Sequence, residues 1–291
     1  MHAVSKQLSR RDFVFSATGA ARGGPPAVAW CGPPAFAWSG SPAVGTSLRA
    51  WLPLWLLLVV LASCTGSAEQ PADSGSSTAT EVAMNTLTEA EREAGWQLLF
   101  DGRSTAGWRG YNREGPAEGW EAVDGTLARV GPGGDIVTDR QFDDFELSLE
   151  WRVEEGGNSG VFYRAAEGEE WIYQSAPEMQ VLDDAGHVDG GDPLTSAGSN
   201  YALHGTPRGV VNPVGEWNHV RIVVDGDRVE HWLNETKVVD YVLGDADWEA
   251  RVAASKFVEW PAYGRASRGH IGLQDHGDPV WYRNIKIREI R

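Results

Sequence analysis

The sequence predicts an all-β domain in which two antiparallel sheets pack as a sandwich of the jelly-roll type. Many short segments alternate apolar and polar residues, and turn signals rich in Gly, Asn and Asp separate them at regular spacing. The composition agrees, because 35 Gly, 14 Trp and only 3 Met suit tight turns and aromatic-lined sheets better than a helical bundle. We therefore expect one β-sandwich with one or two short helices.

The strand pattern is most regular at Phe145–Val153, where apolar residues alternate with Glu, Ser and Arg, which predicts a long half-buried strand. Asp225-Gly-Asp predicts a hairpin turn between two later strands. Further strands are predicted at 160–164, 177–184, 216–224, 228–234, 237–243, 269–276 and 280–290.

Two helices are predicted. Residues 87–94 form the first, because Thr88 and Glu91 have the spacing of a capping box. Residues 245–256 form the second, in which Trp248 and Val252 lie four positions apart and so share one face.

Residues 1–63 have the features of an export signal region. The apolar run 51–62 follows Arg49 and has the length of a signal-peptide core, but it is too short to span a bilayer comfortably. The segment 61–64, Leu-Ala-Ser-Cys, resembles a bacterial lipobox, in which Cys64 would be diacylated. A plain secretory signal or a short anchor is the alternative. Because Thr65 replaces the Asp of an inner-membrane retention signal, we expect an envelope lipoprotein in the outer membrane.

The first residues carry a second export signal. Residues 9–13 resemble a twin-arginine motif, yet a Gly- and Pro-rich stretch follows it. Two signals in series are unusual, so we expect that translation starts downstream of Met1. Residues 64–86 are rich in Ser, Ala, Thr and acids, which predicts a flexible tether, and 87–291 form the folded domain.

Charge and cysteine content exclude several classes of function. The net charge is −16, and the first 63 residues hold five basic residues and one acid, so the remainder is still more acidic. Such a chain repels nucleic acid. Cys31 and Cys64 both precede the folded domain, so neither an intradomain disulfide nor a cysteine zinc site is available there.

The polar face of segment 177–184 is the first candidate site. As a strand, it places Glu178 and Gln180 on one face and Met179 and Val181 on the other. A carboxylate beside an amide on a rigid strand can bind a polyhydroxylated ligand or transfer a proton. The alternative is that both face water, as is common in half-exposed antiparallel strands. The long loop 185–215 follows directly, and we expect it to fold over this face.

Separate motifs between residues 95 and 291 resemble, in order, the 3-keto-disaccharide hydrolase family. The resemblance implies a concanavalin-like jelly roll and an exported bacterial enzyme. The motifs are Phe-Asp-Gly at 100–102, Gly107-Trp108, Trp120 with Gly125 and Leu127, Asn-Ser-Gly-Val-Phe-Tyr-Arg at 158–164, Pro-Glu-Met-Gln-Val-Leu-Asp at 177–183, Glu-Trp-Asn at 216–218, Ser-Lys-Phe at 255–257, Gly-Leu-Gln-Asp-His-Gly at 272–277 and Arg-Asn-Ile at 283–285.

The resemblance implies cleavage of glycosides whose C3 hydroxyl has been oxidised to a ketone, either by hydrolysis or by elimination across C1 and C2 followed by hydration. The ketone acidifies the C2 proton, so a base can remove it while an acid protonates the departing glycosidic oxygen. Donors near O3 would stabilise the enolate. A separate sugar 3-oxidoreductase must supply the ketone, because no dinucleotide-binding glycine fingerprint follows a strand in this chain.

Glu178 is the residue we expect to transfer the proton. Laminarinase-type glucanases of the same broad fold carry Glu-x-Asp-x-Glu or a bulged Glu-x-Asp-x-x-Glu, whereas this chain has Glu178-x-Gln180-x-x-Asp183. Ordinary retaining chemistry needs two carboxyl groups about 5 Å apart, and on a regular strand Asp183 points to the wrong face. This departure favours a keto-sugar enzyme. Asp183 would contact substrate through a bulge or serve as a turn residue.

Two further catalytic candidates are Lys256 and His276. Lys256 would act as an electrophile near the ketone or, alternatively, as a helix C-terminal charge. His276 suits acid–base chemistry near neutral pH, although a His before Gly is often a hydrogen-bonded loop residue.

The remaining candidates would bind substrate. Arg164 and Tyr163 end the predicted strand 160–164, Asn158 lies just before it, and Gln274 shares a face with His276. The alternatives are a structural ion pair for Arg164 and a turn role for Asn158. A minority of the aromatic residues Trp108, Trp120, Trp171, Tyr173, Trp260 and Tyr263 would stack on sugar rings, while most belong to the core.

No cofactor is expected, and a divalent metal, structural or catalytic, is conceivable but has no position in the sequence. His187 and His204 lie in the long loop without ligand spacing on a defined element. The sequence thus predicts an envelope enzyme acting on 3-keto-glycosides. A non-catalytic carbohydrate-binding module is the alternative, since the same sandwich and aromatic residues would serve it.

Overall fold

The computed structural model describes residues 83–290, which form two antiparallel sheets and two α-helices. The strands are β1 Gln97–Leu98, β2 Trp108–Gly110, β3 Trp120–Val123, β4 Thr126–Arg129, β5 Ile136–Phe142, β6 Phe145–Val153, β7 Asn158–Ala165, β8 Glu178–Leu182, β9 Asn218–Asp225, β10 Arg228–Leu233, β11 Thr236–Val242, β12 Gly269–Leu273 and β13 Val280–Glu289. The helices are α1 Glu89–Glu93 and α2 Ala246–Ala254, and 3₁₀ helices cover Ile172–Gln174, Val188–Gly191 and Lys256–Glu259.

The predicted sandwich is confirmed. One sheet has the order β11-β10-β9-β6-β13-β4-β3, with β1 also paired to β13, and the other has the order β2-β5-β12-β7-β8. All strand pairs are antiparallel. In the five-stranded sheet, β8 pairs with β7 on one side only, so its second edge needs other partners for its backbone.

The core lies between the sheets, where each sheet contributes the apolar half of its alternating strands. Leu147, Leu149 and Trp151 of β6 are buried in one cluster with Val161 of β7 and Val181 of β8. Each such side chain contributes roughly 1.5–3 kcal/mol of burial free energy. The alternation seen in the sequence therefore determines which face of each strand points inward.

The local signals found in the sequence fix the helix starts. Helix α1 has the predicted capping box, in which the Thr88 side chain accepts from the Glu91 N–H and Glu91 accepts from the Thr88 N–H. Helix α2 begins after Asp245, whose carboxylate accepts the Trp248 N–H. Both predicted helices are confirmed, and each is shorter than the predicted span.

A stack of aromatic rings connects the long loop, β11, α2 and the segment after it. The rings follow in the order His204, Tyr241, Trp248, Tyr263 and Phe257. The distances between successive ring centroids are 4.6, 5.2, 5.7 and 3.9 Å. The planes of successive rings differ by 13° at most. At about 0.5–1.5 kcal/mol per pair beyond simple burial, this stack holds the residue 255–263 segment firmly against the sandwich.

Tyr163 lies on the core face of β7 and not among substrate-binding groups. Its hydroxyl is buried and contacts His231 Nε2 at 2.9 Å and the Tyr241 hydroxyl at 2.5 Å, both on the opposite sheet. The expectation that Tyr163 contacts substrate is therefore wrong, because alternation along β7 gives this position to the interior.

Arg164 joins the two sheets at one end of the sandwich. Its backbone adopts a positive φ of 51°, and its guanidinium donates to Asp143 O at 3.0 Å, Asp144 Oδ1 at 3.0 Å and Gly226 O at 2.8 Å. The structural ion pair, which was the alternative for this residue, is the arrangement found. The positive φ rotates the side chain out of the strand pattern on which the substrate-binding expectation rested.

No helix within residues 83–290 is long and apolar enough to cross a membrane. The predicted signal region 1–63, the lipobox Cys64 and most of the predicted tether 64–86 lie outside the described residues.

Replacing Arg164 by Met should reduce the free energy of unfolding by about 2–3 kcal/mol, because three hydrogen bonds from a buried cation are lost. Urea unfolding measures this change. Arg92→Met, at an exposed helix position, is the matched control and should alter stability by less than about 0.5 kcal/mol. Unchanged stability in Arg164→Met would contradict the structural role.

Candidate active site

The outer face of the five-stranded sheet, turned away from the eight-stranded sheet, carries the polar residues. Strand register aligns them in two rows across β5, β12, β7 and β8. Pairing beyond the ends of β5 and β12 continues the register to Asp135 and Gln274, because the Gln274 N–H donates to Gly160 O. One row is Asp135, Gln274, Gly160 and Gln180, and the next is Val137, Gly272, Phe162 and Glu178.

Gly160 makes room for the Glu178 carboxyl group. A Cβ at position 160 would lie 2.1 Å from Glu178 Oε1, so the carboxyl group extends from β8 over the bare backbone of β7. Its neighbours along the row are therefore Gln180 on β8 and Gln274 on β12. Any side chain larger than hydrogen at residue 160 would displace it.

Glu178 is buried in a site that disfavours its charge. The residue is 5% exposed, and burial is the main reason that its pKa rises from 4.5 to about 8. The Lys256 ammonium lowers this pKa, whereas the carboxylates of Asp135 and Asp189 raise it further. At pH 7 the side chain is thus mainly a neutral acid that can donate a proton.

Three amide side chains near Glu178 have buried oxygens without donors. Within residues 83–290, no hydrogen bond reaches Asn158 Oδ1, Gln180 Oε1 or Gln274 Oε1. The amide nitrogen of Gln180 donates to Thr195 O at 3.2 Å, which fixes that side chain. An unpartnered buried acceptor costs roughly 1–3 kcal/mol, so these oxygens suit a ligand that brings several hydroxyl donors.

A cleft of about 680 Å³ opens beside these residues. Its volume fits a small ligand. Gln274 lines this cleft and also neighbours the Glu178 carboxyl group. Trp171 is half exposed at the cleft, as a stacking platform for a sugar ring would be. The lining residues are Tyr111, Asn112, Arg113, Gly134, Asp135, Glu170, Trp171, Tyr173, Gln274, Asp275 and His276.

Asp135 lines this cleft and was absent from the sequence candidates. Burial raises its pKa to about 6, although the Asp275 N–H, which it accepts at 2.9 Å, lowers that pKa. Asp275 is itself held by Arg129 at 2.6 Å and by the N–H of Gly134 at 2.9 Å. At this end of the polar row, Asp135 therefore has a raised pKa, whereas its neighbour Asp275 is held by hydrogen-bond donors.

Lys256 lies among aromatic rings next to Glu178. Its ammonium is 4.6 Å from the ring centroid of Tyr201, 5.2 Å from that of Tyr173 and 5.3 Å from that of Phe257. Such cation–π contacts contribute on the order of 0.5–2 kcal/mol each. The structure thus brings the predicted Lys256 to the site, where it is the charge that opposes the pKa rise of Glu178.

His276 lies at the mouth of the cleft, half exposed. Its ring packs edge-to-face against His187 at 6.3 Å, and Nδ1 is 3.8 Å from Asp278. His187 in turn lies 3.5 Å from the Asn158 amide. The predicted Asn158, Gln274 and His276 therefore belong to one side of the same site.

The chain as a whole is similar to known proteins. The sequence profile of the 3-keto-alpha-glucoside-1,2-lyase-like domain matches residues 95–288. A 3-keto-disaccharide hydrolase from Bacteroides thetaiotaomicron is 35% identical over 272 residues, which cover 79% of this chain and 94% of that protein.

Two crystal structures from Parabacteroides distasonis, each described as a candidate glycosyl hydrolase, are also similar. The first has a TM-score of 0.67 and 33% identity over 72% of this chain and 100% of that one. The second has a TM-score of 0.53 and 29% identity over 67% and 99% of the two chains.

The chain belongs to the 3-keto-alpha-glucoside-1,2-lyase-like family. The resemblance found in the sequence is confirmed, and with it the expectation of an enzyme.

Asp183 does not join the site of this family member. Its carboxylate accepts the N–H of Gly156 at 2.8 Å and of Ala185 at 3.0 Å, so it closes the turn after β8. The turn role is therefore correct and the substrate-binding expectation is wrong. With Asp183 engaged in this way, the glucanase pair of facing carboxyl groups is missing from β8.

The loop 185–215, which was expected to fold over the polar face of segment 177–184, pairs with the open edge of β8. The N–H of Gly198 donates to Gln180 O at 2.8 Å, and the N–H of Tyr201 donates to Glu178 O at 3.1 Å. This backbone pairing places Thr195 and Tyr201 against the site. Among residues 83–290, no three His, Cys, Asp or Glu side chains are grouped as ligands for a metal ion.

Glu178→Gln should become more stable than the wild type as the pH rises. The raised pKa means that the stability contributed by the neutral carboxyl is complete below pH 4.5 and is lost as the pH rises through about 8. The amide stays neutral throughout. We expect the difference in free energy of unfolding to grow by about 4 kcal/mol between pH 5 and pH 9.

Denaturant unfolding at pH 5, 7 and 9 measures this difference, with Glu155→Gln at an exposed position as the matched control. A difference independent of pH would contradict the raised pKa of Glu178.

Proposed function

We propose that this protein cleaves the glycosidic bond of 3-keto-glycosides and that Glu178 protonates the departing glycosidic oxygen. The observation that carries the proposal is the neutral carboxyl group of Glu178, buried over Gly160 between amide oxygens that lack donors. The name of the Bacteroides relative, a 3-keto-disaccharide hydrolase, supports the same substrate class.

The chemistry of a 3-keto-glycoside matches what these groups can do. The ketone makes the C2 proton acidic, and loss of that proton weakens the C1–O bond, so cleavage needs an acid at the leaving oxygen. A carboxyl group whose pKa is about 8 is protonated at neutral pH and can supply it. The products would arise by direct hydrolysis or by elimination followed by addition of water at C1.

The other side chains would bind and orient the sugar. The oxygens of Asn158, Gln180 and Gln274 would accept hydroxyl donors, and this would satisfy acceptors that are otherwise unpaired. Lys256 would stabilise the negative charge that develops on O3. His276, at the mouth of the cleft, would contact the leaving group.

The cellular setting is part of the proposal. The apolar run 51–62 and Cys64 support an envelope lipoprotein with its enzyme domain on a tether. A separate sugar 3-oxidoreductase would supply the keto-glycoside. Intact mass of the purified wild type and of Cys64→Ala tests the anchor, since a diacylglyceryl group adds mass only when the thiol is present.

Glu178→Gln should lower kcat on a methyl 3-keto-glucoside by about 10²- to 10⁴-fold, because the leaving alkoxide then has no proton donor. Release of methanol from the purified protein measures turnover, and calorimetry with the inactive variant measures binding. Wild-type binding without turnover would contradict the proposal and support the alternative of a carbohydrate-binding module.

Gly160→Ala should lower activity by about 10²-fold while the fold is kept, because the new methyl group displaces the Glu178 carboxyl group. Gly131→Ala is the matched control, since a Cβ there meets nothing within 4 Å. Comparing kcat/KM and urea midpoints of both variants checks this. Full activity in Gly160→Ala would contradict the position assigned to the carboxyl group.

A further inference from the structure

Asp135 is a second carboxyl group at the same row of the outer face. Asp135 lies opposite Gln274 of β12, which lies opposite Gly160 of β7. It is therefore two strands away from Gly160, over which the Glu178 carboxyl group extends. Two strand spacings amount to about 10 Å, a span that a pyranose ring with its substituents can fill. Asp135 and the Glu178 carboxyl group thus lie at the two ends of this span, with Gln274 of β12 between them in the register.

We propose that Asp135 is the general base that removes the C2 proton of the substrate while Glu178 protonates the leaving oxygen. This inference rests on the proposed function, and it assigns the acid and the base to two different carboxyl groups.

The hydrogen bonds around Asp135 favour this role over its neighbour Asp275. Asp275 accepts hydrogen bonds from Arg129, Gly133 and Gly134, so both of its oxygens are engaged. Asp135 accepts one N–H through Oδ1, from Asp275. Its second oxygen is therefore the better placed of these carboxylate oxygens to accept a proton from a ligand in the cleft.

The charged groups around the two carboxyls separate their ionisation. Arg113 and Asp275 face Asp135, and Glu170 and His276 line the same cleft. Lys256 and Asp189 face Glu178. Burial dominates in both cases and raises the pKa of Asp135 to about 6 and that of Glu178 to about 8. At pH 7 one group is thus mainly ionised and the other mainly protonated, which is the pairing that acid–base catalysis requires.

The step balances without a further reactant. The Asp135 carboxylate takes the C2 proton, and the C2–H electron pair becomes the C1–C2 double bond as the C1–O bond breaks. The bonding pair of C1–O leaves with the glycosidic oxygen, which takes the Glu178 proton. The sugar becomes a 1,2-unsaturated 3-ketone, and the aglycone leaves as an alcohol. Exchange with water returns both carboxyl groups to their starting states.

The test compares two aglycones in the full chain. Methyl and 4-nitrophenyl 3-keto-glucosides share the C2 proton but differ in the basicity of the leaving oxygen. Asp135→Asn should lower kcat on both by at least about 10²-fold, whereas Glu178→Gln should lose far more activity on the methyl glucoside than on the nitrophenyl one. Asp139→Asn, exposed on the same strand, is the matched control and should retain wild-type rates.

Two readouts separate catalysis from folding. In the wild type, kcat/KM should fall as the pH drops through about 6. In Asp135→Asn, the residual kcat/KM should not show this fall. Added formate should restore part of the activity of Asp135→Ala, because a small carboxylate can occupy the vacated space. A misfolded variant would not respond to formate.

The inference would be overturned, and the proposed function left intact, by the following result. Asp135→Asn would keep rates within about threefold of the wild type on both substrates, while Glu178→Gln would be inactive on the methyl glucoside. A wild type that turns over neither keto-glucoside would overturn both. Equal losses on the two aglycones in Glu178→Gln would also contradict the division of acid and base.

Discussion

The burial of the Glu178 carboxyl group over the backbone of Gly160 is the constraint on which the site depends. The carboxyl group can lie there only because residue 160 has no side chain, and it stays neutral because the surroundings stabilise charge poorly. The sandwich supplies the rest. Its core holds β7 and β8 rigid, the loop 185–215 closes the edge of β8, and the aromatic stack fixes the segment that carries Lys256.

Features that depend on local periodicity could be predicted from the sequence. The alternation in Phe145–Val153 matches β6 at both ends, and the capping box of Thr88 and Glu91 forms as its spacing requires. The polar face of segment 177–184 could be recognised because a period of two assigns Glu178 and Gln180 to one side. The sequence could not exclude that this side faced bulk water, since its cover comes from a loop without periodicity.

Features that depend on register between distant strands could not be predicted. Asp135 meets the site because β5 pairs with the distant β12, where Val137 lies opposite Gly272, and nothing near Asp135 indicates that pairing. Nothing local to Arg164 indicates its positive φ or the partners at Asp143, Asp144 and Gly226 that its guanidinium reaches. Asp183 directly follows β8 in sequence, yet two backbone N–H groups hold it in the following turn.

The ionisation of Glu178 can be measured by carbon NMR on protein labelled at the glutamate carboxyl carbon, with the signal assigned by comparison with Glu178→Gln. Burial of this carboxyl group predicts one signal that titrates with a midpoint near 8 and is absent from the variant. A Glu178 signal that titrates below pH 5, like that of an ordinary glutamate, would contradict it.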